Sequence, residues 1–237
     1  MGTQLPQAVG IAYKMKLDFL ANKDHKPTVA AVYFGEGASS TVDFHSACNF
    51  AATLKVPVLF ICRNNGYAIS TPTKEQYAGD GIVCKAKGYG MAAIRVDGND
   101  VLAVHAATKA AREYALKHME PVLLEMITYR QGHHSTSDDS TQYRSTEEVL
   151  DIENHSDPIE RFNDFLIDHD WTSDVEIADI EKSERKGVLA ALEKAEVRPG
   201  PKLDTLFQDV YHEMPSSLQR QERELHEHLQ KYADKYN

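Results

Sequence analysis

Two short loops, each directly after an apolar run, carry residues suited to binding a diphosphate and its metal ion. The first contains Gly35-Glu36-Gly37, and the second contains Arg63-Asn64-Asn65-Gly66-Tyr67. Glycines allow the backbone to approach phosphate oxygens closely. Glu36 and Asn65 offer oxygen ligands of the kind that Mg²⁺ takes, and Arg63 offers a fork of donors for phosphate. The two loops together predict a metal–diphosphate site.

The segment between these loops has the length needed to bring them together. The 26 residues between Gly37 and Asn64 can form a helix and a returning strand. In a parallel α/β sheet, ligands bind outside the carboxyl ends of the strands. Each loop alone could be an ordinary turn, because glycine and asparagine are common turn residues. Their shared position after apolar runs favours the ligand site.

A third polar segment, Arg130-Gln131-Gly132-His133-His134-Ser135, follows another apolar run. Histidine is the natural proton carrier near neutral pH, so this loop could serve acid–base chemistry. By itself the segment is equally compatible with a solvated loop. No third ligand at helical spacing accompanies the histidines, so a zinc site is not predicted.

Apolar periodicity predicts an α/β protein whose elements position these loops. Nearly all-apolar runs, typical of buried parallel strands, occupy residues 28–34, 56–62 and 121–128, and a short strand is predicted at 93–96. Helical spacing of apolar residues occurs at 4–21, 42–55 and 101–117. Charged helices are predicted at 158–168, 174–195 and 217–236. We expect an α/β domain over residues 1–150 and a helical extension over residues 151–237.

Net charge and cysteine content limit the partners and the cellular compartment that this protein could have. The 237 residues carry a net charge of −10, which argues against a nucleic-acid or anionic membrane surface as the main partner. Cys48, Cys62 and Cys84 lack metal-type spacing and indicate free thiols in a reducing compartment. The amino terminus resembles the interior of a domain. We therefore expect that the natural protein is longer and that this chain lacks its amino-terminal part.

The spacing of the GEG and NN pairs resembles the thiamine diphosphate motif. That resemblance implies that the side chains of Glu36 and Asn65 and the backbone carbonyl of Tyr67 bind Mg²⁺. It also implies the thiamine diphosphate-binding fold, with a mainly parallel sheet flanked by helices and a helical carboxy-terminal tail. The cofactor-binding residues that follow from the complete resemblance are Glu36, Gly37, Ala38, Arg63, Arg130 and His134.

The longer motifs GHHSTSDDS, YRS, RNNGYAISTPT and VDGNDV resemble the alpha subunits of branched-chain 2-oxoacid dehydrogenases. The similarity covers essentially the whole chain and corresponds to the carboxy-terminal part of such subunits. It implies oxidative decarboxylation of branched-chain 2-oxo acids, with transfer of the acyl group to a lipoyl group. On this match His134 is the catalytic histidine and Arg130 lies near the diphosphate.

The same resemblance implies partners and regulation. The chain would form an alpha2beta2 heterotetramer with a beta subunit, be inactive without it, and dock on a lipoyl-bearing acyltransferase core in the mitochondrial matrix. A kinase and a phosphatase would act on Ser135 and Ser145. Thr3 and Gln4 match part of a potassium site. Neither a nucleic-acid partner nor a membrane partner is expected.

One departure from the family pattern leaves alternatives open. Thr41-Val42 stands where the family usually has Glu-Gly, which could alter cofactor affinity or subunit contacts. The same mechanism could act on pyruvate or acetoin. The chain could instead be a truncated, non-catalytic assembly partner. A phosphate-binding α/β protein without thiamine diphosphate is the third alternative, and it predicts unchanged ligand binding on Glu36→Ala.

Overall fold

The computed structural model describes residues 1–22 and 24–236. The strands are β1 (Ala30–Gly35), β2 (Val58–Asn64), β3 (Tyr67–Ala68), β4 (Thr71–Pro72), β5 (Ala92–Asp97) and β6 (Val122–Ile127). The helices are α1 (Gln4–Ala21), α2 (Val42–Thr53), α3 (Thr73–Gln76), α4 (Val83–Tyr89), α5 (Val101–His118), α6 (Thr146–Ser156), α7 (Pro158–Asp168), α8 (Asp174–Glu196) and α9 (Ser216–Lys231). Short 3₁₀ turns include Glu36–Ser40 and Ser140–Gln142.

Within the described residues, the main sheet has four parallel strands in the order β1-β2-β6-β5. The register aligns the carboxyl ends of the strands, because Gly35 pairs with Arg63 and Asn64 pairs with Ile127. The segments that leave β1, β2 and β6 therefore start at one edge of the sheet. These are the three segments in which the sequence predicts chemistry.

Helices cover the sheet from both sides because its central strands, β2 and β6, are apolar and buried on both faces. One core joins Val32, Phe34 and Phe60 of the sheet to Phe44 of α2 and Leu5 of α1. Fully burying a large apolar side chain contributes about 1.5–3 kcal/mol, so these contacts fix α1 and α2 against the strands. The second face forms its own core against α5, built from Leu59, Ile61, Val122, Leu124, Ala111 and Ala115.

The predicted α/β class with a parallel sheet is confirmed. Residues 63–77, predicted as one long polar loop, contain the end of β2, the small hairpin of β3 and β4, and the four-residue helix α3. Helices α4 and α6 were not predicted. In α4, Ala86 is buried, but lysines and glycines interrupt any apolar periodicity. In α6, the polar residues of the first turn resemble those of the preceding loop.

The chain divides into two compact units, residues 1–173 and 174–237. The first contains the sheet and α1 to α7, and the second contains α8 and α9. The expected division at residue 150 stays a prediction. Among the described residues, no helix is both long enough and apolar enough to cross a membrane.

Candidate cofactor-binding site

Glu36 opens the 3₁₀ turn after β1 and is almost completely buried, with 1% of its surface exposed. One carboxylate oxygen, Oε2, accepts a hydrogen bond from the Asn65 backbone N–H at 3.3 Å. The other, Oε1, is buried without a hydrogen-bond partner among the described residues. A buried, unpaired carboxylate oxygen is costly, and a bound cation would satisfy it. The residue thus has the environment of a metal ligand.

The turn that follows Glu36 packs tightly against the β3–β4 hairpin. A Cβ atom at Gly37 would lie 2.7 Å from the Ala68 Cβ, so a larger residue would push the turn and hairpin apart. Ala38 is buried, and its carbonyl accepts hydrogen bonds from the Thr41 hydroxyl at 2.7 Å and the Thr41 N–H at 3.1 Å. Val42 is 80% exposed. In the Thr41-Val42 pair, Thr41 therefore ends the turn through its hydrogen bonds to Ala38, and the Val42 side chain points into solvent rather than into the turn.

Two successive asparagine turns shape the loop after β2. Asn64 Oδ1 accepts the Gly66 N–H at 3.1 Å, and Asn65 Oδ1 accepts the Tyr67 N–H at 3.1 Å. Gly66 has a φ of +85°, a conformation that favours glycine. The Asn65 backbone N–H also donates to Glu36, so the backbone of the second loop lies beside the Glu36 carboxylate. The structure thus brings both halves of the predicted motif together.

The Tyr67 side chain ties this loop to the segments after β6. Its hydroxyl donates to Glu148 Oε1 at 3.1 Å, and the Tyr129 hydroxyl donates to the same oxygen at 2.9 Å. The Tyr67 ring also lies 5.9 Å from the Tyr143 ring. Burial and the hydrogen bond to Glu148 raise the pKa of Tyr129 to about 12, so Tyr129 remains a neutral donor.

Arg63 and Arg130 line one cavity of about 310 Å³ together with Thr128, Gln131 and Asp157. Arg130 Nη2 donates to the Ile69 carbonyl and to the Tyr143 hydroxyl, each at 2.7 Å. Its Nε and Nη1 are buried without partners among the described residues. Unpaired guanidinium donors are suited to an anion such as a phosphate.

Arg144 fixes the segment that carries the two histidines. It is 6% exposed, and its guanidinium donates to the carbonyls of Arg130, Gln131 (2.9 Å) and Gly132 (2.8 Å). The same group lies 5.2 Å above the Tyr129 ring. Backbone carbonyls leave no pattern in a sequence, so the YRS motif alone does not indicate this role.

The two histidines have different surroundings. His133 Nδ1 accepts the Ser140 N–H at 3.0 Å, which engages this ring in the loop structure. The His134 N–H donates to Asp138 Oδ2 at 2.8 Å, and Tyr143 donates its hydroxyl to the same oxygen at 2.7 Å. His134 itself is exposed and is not among the residues that line the Arg63–Arg130 cavity.

The remaining predicted residues lie at the surface. Ser135 is exposed, with its Oγ 3.4 Å from Ser137 Oγ. Ser145 caps α6 by accepting the Glu148 N–H at 3.1 Å. Thr3 precedes α1, and Gln4 donates its amide to the Tyr33 carbonyl at 3.1 Å. This position is close to the carboxyl end of β1, and the potassium site stays a prediction.

The residues present fit a magnesium–diphosphate ligand better than a protein-only metal cage. Nowhere in the described part of the chain do three or more His, Cys, Asp or Glu residues gather around a possible metal position. Mg²⁺ commonly binds one or two carboxylates, with phosphate oxygens completing its octahedron. The unpaired oxygen of Glu36 agrees with that donor set.

Sequence reasoning also missed a buried polar group behind the Asn-Asn loop. Glu125 of β6 is completely buried and accepts hydrogen bonds from Asn64 and Arg95. The sequence does contain a signal for this group, because a lone glutamate in an apolar strand requires buried hydrogen-bond donors. Its partners are not visible, because they lie 30 to 61 positions away along the chain.

Comparison with known proteins identifies relatives along the whole chain. The sequence model of the "Dehydrogenase E1 component" family matches residues 1–204. The chain is 50% identical to the human mitochondrial 2-oxoisovalerate dehydrogenase subunit alpha, over 100% of this chain and 52% of that protein. The Caenorhabditis elegans counterpart is 52% identical, over 99% of this chain and 53% of the relative. The chain spans about half the length of the curated relatives it matches.

Proposed function

Because the chain belongs to the dehydrogenase E1 component family, which depends on thiamine diphosphate, we propose that it contributes the metal–diphosphate end of that cofactor's site in a branched-chain 2-oxoacid dehydrogenase. The observation that carries this proposal is the buried, unpaired Glu36 oxygen beside the Asn-Asn loop. The names of the relatives, 2-oxoisovalerate dehydrogenase subunit alpha, support the substrate class.

In this proposal Glu36, Asn65 and the Tyr67 carbonyl hold Mg²⁺. Gly37 and Ala38 lie against the diphosphate, and the contact with Ala68 leaves no room for a larger residue at position 37. Arg63 and the unpaired donors of Arg130 hold phosphate oxygens, as suggested by the cavity they share. The Thr3 and Gln4 contribution to a potassium site remains part of the same proposal.

Thiamine diphosphate, when bound, supplies the electron sink for decarboxylation of a 2-oxo acid. The protein then has to orient the reacting groups and move protons. His134 would carry the proton transfers that accompany acyl transfer to a lipoyl group. Arg144 keeps the His134 segment in place through the carbonyls that precede it. Exposure of His134 is consistent with a site that a second subunit completes.

The proposed assembly is an alpha2beta2 heterotetramer with a beta subunit, bound to a lipoyl-bearing acyltransferase core. The relatives are named as mitochondrial, and we propose the mitochondrial matrix for this chain as well. Ser135 and Ser145 would be phosphorylated by a regulatory kinase and restored by a phosphatase. A phosphate adds about −1.5 to −2 charges, which beside His134 and a bound diphosphate would repel and reorder the loop.

The test is a decarboxylation assay of the chain co-expressed with the beta subunit from the same organism. We expect faster turnover of the 2-oxo acids derived from valine, leucine and isoleucine than of pyruvate, and no turnover by the chain alone. His134→Asn should lower acyl transfer to the lipoyl group far more than it weakens cofactor binding. A folded heterotetramer that prefers pyruvate would overturn the substrate assignment. One that turns over neither substrate would overturn the enzyme assignment.

A further inference from the structure

The proposed function leaves one fully buried carboxylate without a role. Glu125 is 0% exposed on β6, directly behind the Asn-Asn loop. It accepts hydrogen bonds from Asn64 Nδ2 at 2.8 Å, Ile82 N–H at 2.8 Å, Val83 N–H at 2.9 Å and Arg95 Nε at 3.1 Å. Burial works to raise its pKa, but these hydrogen bonds outweigh burial and lower the pKa below its usual value. The side chain is therefore an ionised acceptor.

An ionised carboxylate determines how the Asn64 amide is oriented. Because the carboxylate can only accept hydrogen bonds, Asn64 must turn its NH₂ toward Glu125. That orientation leaves Asn64 Oδ1 to accept the Gly66 N–H at 3.1 Å. Gly66 lies between Asn65 and Tyr67, the two residues whose oxygens are proposed to bind the metal. The orientation of the buried Asn64 amide therefore affects the backbone at Gly66 through a single hydrogen bond.

We propose that Glu125 is a positioning residue for the metal site, acting through Asn64 on the backbone that presents Asn65 and the Tyr67 carbonyl. This inference rests on the proposed function. Glu125 makes no contact with the metal in this account, and its effect is transmitted by the Glu125–Asn64–Gly66 chain of hydrogen bonds.

The backbone around Glu125 is built to keep this carboxylate in place. A Cβ atom at Gly81 would lie 2.6 Å from Glu125 Oε1 and 2.4 Å from Arg95 Nη2, so the chain passes too close for any side chain. Gly81 also has a φ of +71°, which favours glycine. Arg95 divides its donors between Glu125 and the exposed Asp80, which lies 3.0 Å from Arg95 Nη1. Asp80 therefore belongs to the same network but has no hydrogen bond to Asn64 among the described contacts.

The experiment uses the chain co-expressed with its beta subunit and measures Mg²⁺ affinity by calorimetry at a fixed concentration of thiamine diphosphate. In Glu125→Gln the carboxamide can donate as well as accept, so it no longer dictates the orientation of Asn64. We expect Mg²⁺ affinity to fall about 10- to 100-fold, as for other groups that orient metal ligands. Thiamine diphosphate binding should return to the wild-type level at saturating Mg²⁺. The matched control, Asp80→Asn, should retain wild-type Mg²⁺ affinity.

A second route keeps the inference testable where Glu125→Gln does not fold. Asn64→Ser is too short to reach Glu125, so it should weaken Mg²⁺ binding to the same degree. If both variants fold, the double variant should be no weaker than Asn64→Ser alone. Unchanged Mg²⁺ affinity in a folded Glu125→Gln or Asn64→Ser variant would overturn the inference, as would a loss that excess Mg²⁺ does not restore. Failure of the wild-type heterotetramer to bind Mg²⁺ and thiamine diphosphate would instead overturn the proposed function itself.

Discussion

Arg144 and Asp138 show how single residues can order a loop that has little regular structure. Arg144 donates to the backbone carbonyls just before the histidines, and Asp138 accepts from the backbone N–H of His134 itself. Each replaces the strand or helix hydrogen bonds that this segment lacks. The position of the proposed catalytic histidine therefore depends on side chains that have no chemical role themselves.

Replacing Arg144 with lysine should loosen the histidine segment. Lysine keeps the charge but loses the planar fork that donates to neighbouring carbonyls. Losing one hydrogen bond from a charged donor costs about 2 kcal/mol, which corresponds to roughly 30-fold faster local opening. Hydrogen exchange should show this increase for the hydrogen-bonded amides of His134 and Asp138, with the amides of β2 and β6 unchanged. Equal protection in the variant would contradict this role for Arg144.

The ionisation of Asp138 gives a pH test of the same loop. The His134 N–H and the Tyr143 hydroxyl, in that order, hold the pKa of Asp138 below its usual value. Because the folded-state pKa is lowered, the carboxylate stabilises the loop above the unfolded pKa of about 3.9, and this contribution is lost as the pH falls through the folded value. The His134 amide shift in NMR should titrate with a midpoint below 3.9, and Asp138→Asn should abolish the transition. A midpoint above 4 would contradict the hydrogen-bonded arrangement.

At the scale of the elements, the contact between the 3₁₀ turn and the β3–β4 hairpin can be tested by comparing substitutions at two glycines, Gly37 and Gly35. Gly37→Ala would place a Cβ 2.7 Å from Ala68 Cβ, whereas a Cβ at Gly35 would meet no atom within 4 Å. Overpacking of this kind costs about 1–3 kcal/mol. We expect Gly37→Ala to weaken thiamine diphosphate binding in calorimetry, and Gly35→Ala to bind like the wild type. Equal effects of the two substitutions would show that the turn and hairpin do not need this close contact.

The start of α6 can be tested in the same way, by comparing substitutions at the two predicted phosphorylation sites, Ser145 and Ser135. Ser145 caps the helix through the Glu148 N–H, while the Ser135 hydroxyl approaches the Ser137 hydroxyl at 3.4 Å. Losing a serine cap costs about 1 kcal/mol, so the first-turn amides of α6 should exchange roughly fivefold faster in Ser145→Ala. Ser135→Ala should leave those amides unchanged. Similar exchange in both variants would exclude a capping role for Ser145.

Across the whole molecule, sequence patterns could predict the strands but not their arrangement. Parallel strands buried on both faces appear as apolar runs, so β2 and β6 could be located from their composition. Strand β1 is also an apolar run, although Tyr33 on its second face is exposed. Their order in the sheet, β1-β2-β6-β5, depends on tertiary packing. Helix α6 could have been found, because Ser145 and Glu148 have the spacing of a helix-capping pair. Helix α4 has no comparable signal.

In the candidate site, too, local sequence patterns could be recognised, but contacts between distant residues could not. The positions of Glu36, Asn65 and Tyr67 could be predicted, because they follow β1 and β2 and the register aligns the ends of those strands. Their role as metal ligands stays a prediction. Arg144 and Glu125 could not be given roles, because their partners are backbone groups or residues distant in sequence. The supporting groups of a site are set by the fold, whereas the ligand-binding groups leave a local pattern.

The measurement that tests the central claim most directly is calorimetry of thiamine diphosphate, with and without Mg²⁺, on the chain co-expressed with its beta subunit. We predict Mg²⁺-dependent binding that Glu36→Ala weakens at least about 100-fold, because losing even an outer-shell partner of a metal ligand typically costs about 10- to 100-fold. Glu120→Ala is the control, because Glu120 bonds Lys55 and Tyr114 near the amino end of β6, at the opposite edge of the sheet. Unchanged binding in Glu36→Ala, or no binding by a folded wild-type assembly, would contradict the account.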